Sequence, residues 1–398
     1  MAALLTMEEA QRLVLERAER LPAERVPLDE AFGRVLVEAA RARVDLPPFP
    51  SSAMDGFAVR SQDTPGTLPV GARIAAGRPA PRALAGGEAM EISTGGVVPE
   101  GADAVVPIED VVDRANTVEI PEPVSAGANV RPQGGDLRAG DEVVAAGVRL
   151  GPARLGALAA AGVAGVACGS RPRAAVLATG TELRRPGEPL GPGEVYEANG
   201  LILASQLRSA GAVVERLAAV ADDEDAHREA LARGLEHDVL VTSGGASVGP
   251  HDLVRAIESE LGVDEVFWRV AVKPGKPVSF GVRGRTLVFG LPGNPVSSLV
   301  GFELFVRPAV LALQGHAEPL PRLESGALTA GLRRSPQRDQ LVRARRRSGA
   351  GAAVELEPLT GQESHMIARA AAADALVLVP RGEGELKAGS AASYLRLE

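Results

Sequence analysis

The chain has 398 residues, a formal net charge of −8 and a single cysteine, Cys168. The acidic balance argues against a bulk nucleic-acid or anionic-membrane binder, and one cysteine excludes an intrachain disulfide. Hydrophobic residues at 45% and charged residues at 24% are globular composition, and at roughly 100–200 residues per domain the length predicts two to four domains.

The N-terminus carries Glu8, Glu9 and Arg12 where a secretory signal would need an apolar core. No targeting segment is expected, and the scarcity of cysteine fits a cytoplasmic protein. Residues 7–20 read as an amphipathic helix, and 26–45 as a second helix with an extended exit that Pro47-Pro48 terminates. From 46 to 133, short apolar runs alternate with Gly and Pro, the pattern of an inserted β-rich domain. Ala-rich, helix-like text returns over 134–170. The domain built from 1–45 and 134–170 is therefore expected to be split and helical. Its most apolar run, Leu155–Cys168, is too short to span a bilayer, and Cys168 reads as a small buried hydrophobe.

From 171 to 316, strands and helices alternate: a strand at Ala174–Ala178, a helix at Leu201–Ala210, a strand at Val213–Val220, a helix over 225–236, and strands at Asp238–Val241 and Thr286–Phe289 flanking a helix at Asp252–Leu261. A helix over 296–313 follows. This predicts a mostly parallel, doubly wound α/β sheet with helices on both faces. From 317 to 398 the text returns to short strands, a small β-domain. Arg345, Arg346 and Arg347 read as a solvated surface turn.

The chemistry-bearing signals concentrate in three Gly-rich loops at predicted strand ends. They are TGTEL with Thr179, Gly180 and Glu182; TSGGASVGPHD with Ser243, Gly244, Gly245, Ser247 and Asp252; and LPGNPVSS with Pro292, Gly293, Asn294 and Ser297. Ligands of open α/β sheets sit beyond the carboxyl ends of the strands, where glycines let backbone N–H groups approach an anion. None of the loops has the spacing of a P-loop or a dinucleotide fingerprint. Glu182, Asp222 and Asp252 are carboxylates suited to Mg²⁺, although Asp222 reads equally as an exposed loop acid and Asp252 as a helix N-cap. Of the 43 basic residues only three are lysines, and two of these, Lys273 and Lys276, stand in KPGKP. Two adjacent ammonium groups want an anion between them. The β-rich insert holds Asp55 in SSAMDGFAV, Thr94 in STGGVVPEGADAVVPIED, and Arg131 and Asp136 in VRPQGGDLRAGD. No zinc-ligand spacing and no GxSxG element is present.

SSAMDGFAV, TGGVVPEGADAVVPIE, VRPQGGDLRAGD, TGTEL, TSGGASVG, KPGKP and LPGNPVS occur in the order seen in MoeA-type molybdopterin molybdenumtransferases and in the E domain of gephyrin-like proteins. The resemblance covers essentially the whole chain. It implies a split helical domain with an inserted β domain, a central MogA-like α/β domain and a C-terminal β-barrel, assembled as an elongated homodimer. It implies the reaction of adenylylated molybdopterin with molybdate to give molybdenum cofactor and AMP, with Mg²⁺. A MogA-type adenylyltransferase would act upstream, and acceptor molybdoenzymes or their chaperones would receive the product. Neither nucleic acid nor membrane is expected as a partner. Carried over by position, Asp55, Thr94, Arg131, Asp136, Glu182, Asp222, Asp252, Lys273 and Lys276 line a cleft across the dimer, joined by Arg343 and by Ser364 of the Q-x-S motif. The sequence departs from the family in MDGF for MDGY, in GGDL for GEDI and in Arg269 for a lysine. None of these removes a motif acid. A gephyrin-type scaffold and a standalone MogA-type adenylyltransferase are the competing readings. The first lacks its appended domain here, and the second needs only the α/β domain.

Overall fold

The computed structural model describes residues 4–220, 223–244, 253–349 and 354–397. Its centre is a six-stranded sheet. In spatial order the strands are Val213–Arg216, Arg173–Ala178, Val239–Ser243, Thr286–Leu291, Ser279–Arg283 and Asp264–Trp268. The first four are mutually parallel, and the last two pair antiparallel. Because side chains alternate across a strand, an almost wholly apolar run buries both faces. Ala174 and Val176 meet Leu203, Leu207, Val300 and Val310 on one side. Ala175 and Leu177 meet Leu231, Val254 and Ile257 on the other. Helices thus cover both faces, as expected for a doubly wound sheet.

The helix Pro295–Leu313 is apolar and long enough to cross a bilayer, but 78% of it is buried within the molecule. It is a core helix, and a π-helical turn over Phe302–Val306 interrupts it. The N-terminal helix, Met7–Leu15, starts at a capping box between Thr6 and Glu9. It buries Met7, Ala10 and Val14 in the core of the central sheet, and Gln11 Nε2 donates to Leu304 O of the π turn at 3.0 Å.

The helix expected over 26–45 does not form. Residues Ala23–Pro27 pair with Gly165–Gly169, Ala40–Arg41 pairs with Glu142–Val144, and bridges hold Val35 to Arg149 and Leu36 to Cys168. The apolar spacing of Leu28, Phe32, Val35 and Leu36 mimics a helical stripe. However, Gly33 at φ +74° breaks the turn, and Val35 and Leu36 are drawn into strand contacts, so tertiary pairing overrides the local pattern. Val26, Leu36, Val144, Leu158, Val163 and Cys168 share one core, so the segments on either side of the insert pack as one body. Its helix is Pro152–Ala160.

Within the insert, six strands order as Ala104–Pro107, Gly56–Val59, Ala89–Ile92, Gly66–Ile74, Thr117–Ile120 and Val112–Asp113. At the C-terminal end, Asp339–Ser348, Val354–Pro358, Leu323–Leu328, Ala391–Arg396 and Ala375–Val379 close into a five-stranded barrel around Leu328, Leu356, Val377 and Tyr394. Arg345, Arg346 and Arg347 lie on its strand Asp339–Ser348, not on a turn. Arg347 pairs with Glu357 at 2.6 Å and Arg346 with Asp374 at 3.6 Å. The barrel also grips the central domain, because Val272 and Lys273 align in parallel with Asp339 and Gln340.

Candidate functional site

The parallel strands end along one edge of the central sheet. Arg173–Ala178 has the following strand on one side and Val239–Ser243 on the other, so the connections diverge at this point. Such a switch point opens a crevice at the strand ends. A cavity of about 810 Å³ lies there, and Thr179, Gly180, Glu182, Ser243, Gly244, Pro292, Gly293 and Asn294 all line it. The three Gly-rich loops singled out in the sequence therefore meet at one place.

Their backbones interlock. Thr179 N donates to Ser243 O at 3.0 Å and Gly244 N to Leu291 O at 3.3 Å. Gly244 sits at φ +98°, and a Cβ there would fall 2.4 Å from Thr179 O, so only glycine fits. Gly180 is also left-handed, at φ +152°; a Cβ there would lie 2.5 Å from Glu182 Oε2. The exposed Glu182 carboxylate is thus folded back over a side-chain-free turn, with no ion-pair partner among the described residues. Thr179 is 6% exposed, and its Oγ1 has no hydrogen-bond partner among the described residues. A buried orphan hydroxyl in a cavity wall suits a polar ligand.

Asn294 and Pro295 begin the helix Pro295–Gly301, with proline at the first helical position. The free Val296 N–H donates to Ser364 O at 3.1 Å. Ser364 therefore acts through its backbone, and its neighbour His365 lines the cavity. The loop from 361 to 366 is held by Arg343. That guanidinium is 2% exposed and donates to Met366 O at 2.8 Å, Gly361 O at 2.6 Å and Glu363 O at 3.1 Å. Burial holds its pKa below the usual guanidinium value. Arg343 does not line the cavity; its donors are taken by loop carbonyls.

Lys273 and Lys276 are exposed, and neither forms an ion pair with a described residue. Their loop is closed by Val270 N donating to Lys276 O at 3.0 Å. Gly275 lies over the first turn of the helix that carries the buried Ser297. Pro277 lines the cavity, so the lysine loop borders it. Arg269 follows strand Asp264–Trp268 at φ +80°, and its guanidinium stacks 3.6 Å from the Trp268 ring centroid.

The residues of the insert do not line this cavity. Asp55, Thr94, Arg131 and Asp136 are all exposed. Thr94 N donates to Asp55 Oδ1 at 2.7 Å, and Arg131 lies on a strand paired with Ser51. Asp136 N donates to Leu46 O at 2.9 Å, where the chain leaves the insert. Asp222, Gly245, Ser247 and Asp252 lie outside the described residues.

Four polar lining residues escaped the sequence reading: Tyr196, Glu197, Asn199 and His365. Asn199 Nδ2 donates to Ser243 Oγ at 2.8 Å and to Gly293 O at 2.7 Å, tying two of the loops together. The signal was an uncharged polar residue at the start of a helix, in VYEANG, a position that reads as ordinary capping.

An α/β crevice of this kind, in a chain that also carries a β-rich insert and a closed barrel, defines a ligand-binding enzyme of several domains. The family comparisons agree part by part. The MoeA N-terminal region (domains I and II) matches residues 5–162, a probable molybdopterin binding domain matches 175–312, and the MoeA C-terminal region (domain IV) matches 325–397. Molybdopterin molybdenumtransferase 2 of Mycobacterium tuberculosis is 37% identical, over 97% of this chain and 98% of that one. The molybdopterin molybdenumtransferase of Haemophilus influenzae is 33% identical, over 97% of each. A crystal structure of the molybdopterin biosynthesis MoeA protein from Pyrococcus horikoshii superposes with a TM-score of 0.84 at 26% identity, over 99% of this chain and 100% of that one. The chain belongs to the MoeA family.

Proposed function

We propose that the chain is a molybdopterin molybdenumtransferase that takes adenylylated molybdopterin and molybdate to molybdenum cofactor and AMP. The observation that carries this reading is the meeting of three glycine-rich loops in one cavity beside a lysine loop. The substrates are anionic throughout, and the chain is acidic overall, so a local concentration of N–H groups and cations is required. The loops supply the amides and the Thr179 hydroxyl, and Lys273 and Lys276 supply compact positive charge for a tetrahedral oxyanion.

The donor set also suits Mg²⁺. Magnesium takes one or two carboxylates together with substrate phosphate oxygens, and Glu182 offers an unpaired carboxylate at the cavity wall. Bound there, the ion would neutralise phosphate charge. Asp222 and Asp252 are its further candidate ligands. Glu182 itself is oriented by folding over Gly180, and the interlocked loops would hold the phosphate in place.

Asp55, Thr94, Arg131 and Asp136 are assigned to the same site through a second copy of the chain. Their exposure supports this, as does the helix Pro152–Ala160, which is rich in Ala and Leu yet buries only Leu158. Leu28, Leu155 and Ala159 line an open apolar surface there, and burying that surface in a homodimer would be favourable. A cytoplasmic MogA-type adenylyltransferase would deliver the substrate, and molybdoenzymes or their chaperones would take the product. The test is AMP release from adenylylated molybdopterin by the purified chain, with and without molybdate.

A further inference from the structure

Among the described residues, His365 is the one imidazole that lines the cavity at the strand ends. It is exposed, and its ring forms no hydrogen bond or ion pair with a described residue. The backbone that carries it is fixed. Arg343 holds Gly361 O, Glu363 O and Met366 O on either side of it, and Ile367 N donates to His365 O at 2.9 Å. A rigid loop thus presents a ring with both nitrogens free. The loop is seated where the anion chemistry is expected. Ser364 O accepts from Val296 N at 3.1 Å, and a Cβ on Gly275 of the lysine loop would lie 3.5 Å from Ser297 O of the same helical turn. His365 and the lysine loop therefore flank one helix start. We propose that His365 is a catalytic residue, the proton carrier between the pterin sulfurs and the oxygen that molybdate gives up. The assignment rests on the functional reading above.

The reaction needs such a carrier. As the dithiol of the pterin takes up molybdate, two molybdenum–sulfur bonds form and one molybdenum–oxygen bond breaks. The two thiol protons leave on the released oxygen as water, molybdenum stays hexavalent and no electron is transferred. A group that accepts a proton on one atom and delivers it from another speeds that exchange, and histidine is the side chain that changes charge between about pH 5 and 8. The other polar groups at the wall are engaged. Glu197 accepts from Arg216 Nη2 at 2.9 Å and from Gly200 N at 2.5 Å. The Tyr196 hydroxyl donates to Glu188 O at 2.9 Å, and Glu182 is the candidate magnesium ligand. The remaining charges around His365 are Glu363 and Arg343 of its own loop, Arg369, which donates to Thr360 Oγ1 at 3.0 Å, and Lys273 and Lys276. The lysines hold the oxyanion and His365 moves the proton.

The test is the rate of formation of molybdenum-loaded pterin by the full chain at saturating molybdate, in wild type, His365→Gln and His365→Ala. His365 is exposed, so both variants should fold, and an unchanged thermal unfolding curve checks this. The wild-type rate should fall on acidification between about pH 8 and 5, because a protonated ring cannot accept from a thiol. Both variants should be slower on the order of a hundredfold at the alkaline end and should lack that pH step, with KM for adenylylated molybdopterin unchanged. Added imidazole should restore part of the rate in His365→Ala and leave wild type unaffected. A variant that keeps the wild-type rate, or one that is slower yet keeps the pH step and ignores imidazole, would overturn the assignment and leave the functional reading standing. A wild-type chain that forms no molybdenum-loaded pterin would count against the functional reading itself, and the role of His365 would fall with it.

Discussion

Asn199 Nδ2 lies 2.8 Å from Ser243 Oγ, and the same amide reaches Gly293 O at 2.7 Å. One side chain therefore sets the spacing of two ligand loops. Ser243 Oγ keeps other partners, at Pro292 O and Ser298 Oγ, and Gly293 is exposed to water. Asn199→Ala should cost only about 1 kcal/mol of stability. It should cost far more in turnover, because misplacement by about 1 Å can slow a reaction on the order of a hundredfold. Asn199→Asp should be worse still, since a carboxylate oxygen would be set against the Gly293 carbonyl oxygen instead of a donor. Thermal unfolding measured beside AMP release checks both; equal activity in the two variants would remove Asn199 from the loop-setting role.

Arg343 separates positioning from binding. Lysine cannot reproduce a fork that bonds three carbonyls at once, so Arg343→Lys should lose stability, on the order of 1–3 kcal/mol for the groups left unpaired. Activity should fall at every molybdate concentration without a shift in the concentration needed. A variant of normal stability with a shifted molybdate dependence would return Arg343 to the ligand.

Lys273→Ala should raise the molybdate requirement on the order of tenfold to a hundredfold, for loss of about 1.4–3 kcal/mol. Lys273→Arg should rescue only in part, because a planar fork does not replace a point charge. AMP release titrated against molybdate decides it. Identical titrations in all three proteins would mean that the lysines serve the pterin phosphate or the loop.

Asp55 and Glu182 are expected to serve one site from two copies of the chain. Asp55→Asn and Glu182→Gln should each abolish turnover while leaving the fold intact, since both acids are exposed. Asp136→Asn should behave in the same way. Mixing the inactive Asp55 and Glu182 variants should restore about a quarter of wild-type activity, because half the dimers are mixed and each mixed dimer holds one intact site. No recovery on mixing would place the two acids in sites that do not share subunits.

The central domain was legible because its strands are apolar on both faces and its helices end at Gly211 and Gly262. Both glycines stand at positive φ, +98° and +82°. The glycine-rich loops were legible because backbone conformation leaves a mark in sequence. Residues 26–45 misled because Leu28, Phe32, Val35 and Leu36 fit a helical period, while the pairing of Val35 with Arg149 depends on residues more than a hundred positions away. Arg343 is a different case. A motif match gives the residue, but only its buried surroundings show that its donors point at carbonyls of its own chain. Asn199 was invisible because its two partners come from distant loops.

The most direct test of the central claim is AMP release from adenylylated molybdopterin by the purified chain, followed as molybdate is added in the presence of Mg²⁺. The account predicts molybdate-stimulated release of AMP that appears together with molybdenum-loaded pterin and is lost in Glu182→Gln. A folded wild-type chain that releases no AMP at any molybdate concentration, or that consumes ATP to adenylylate the pterin instead, would contradict it.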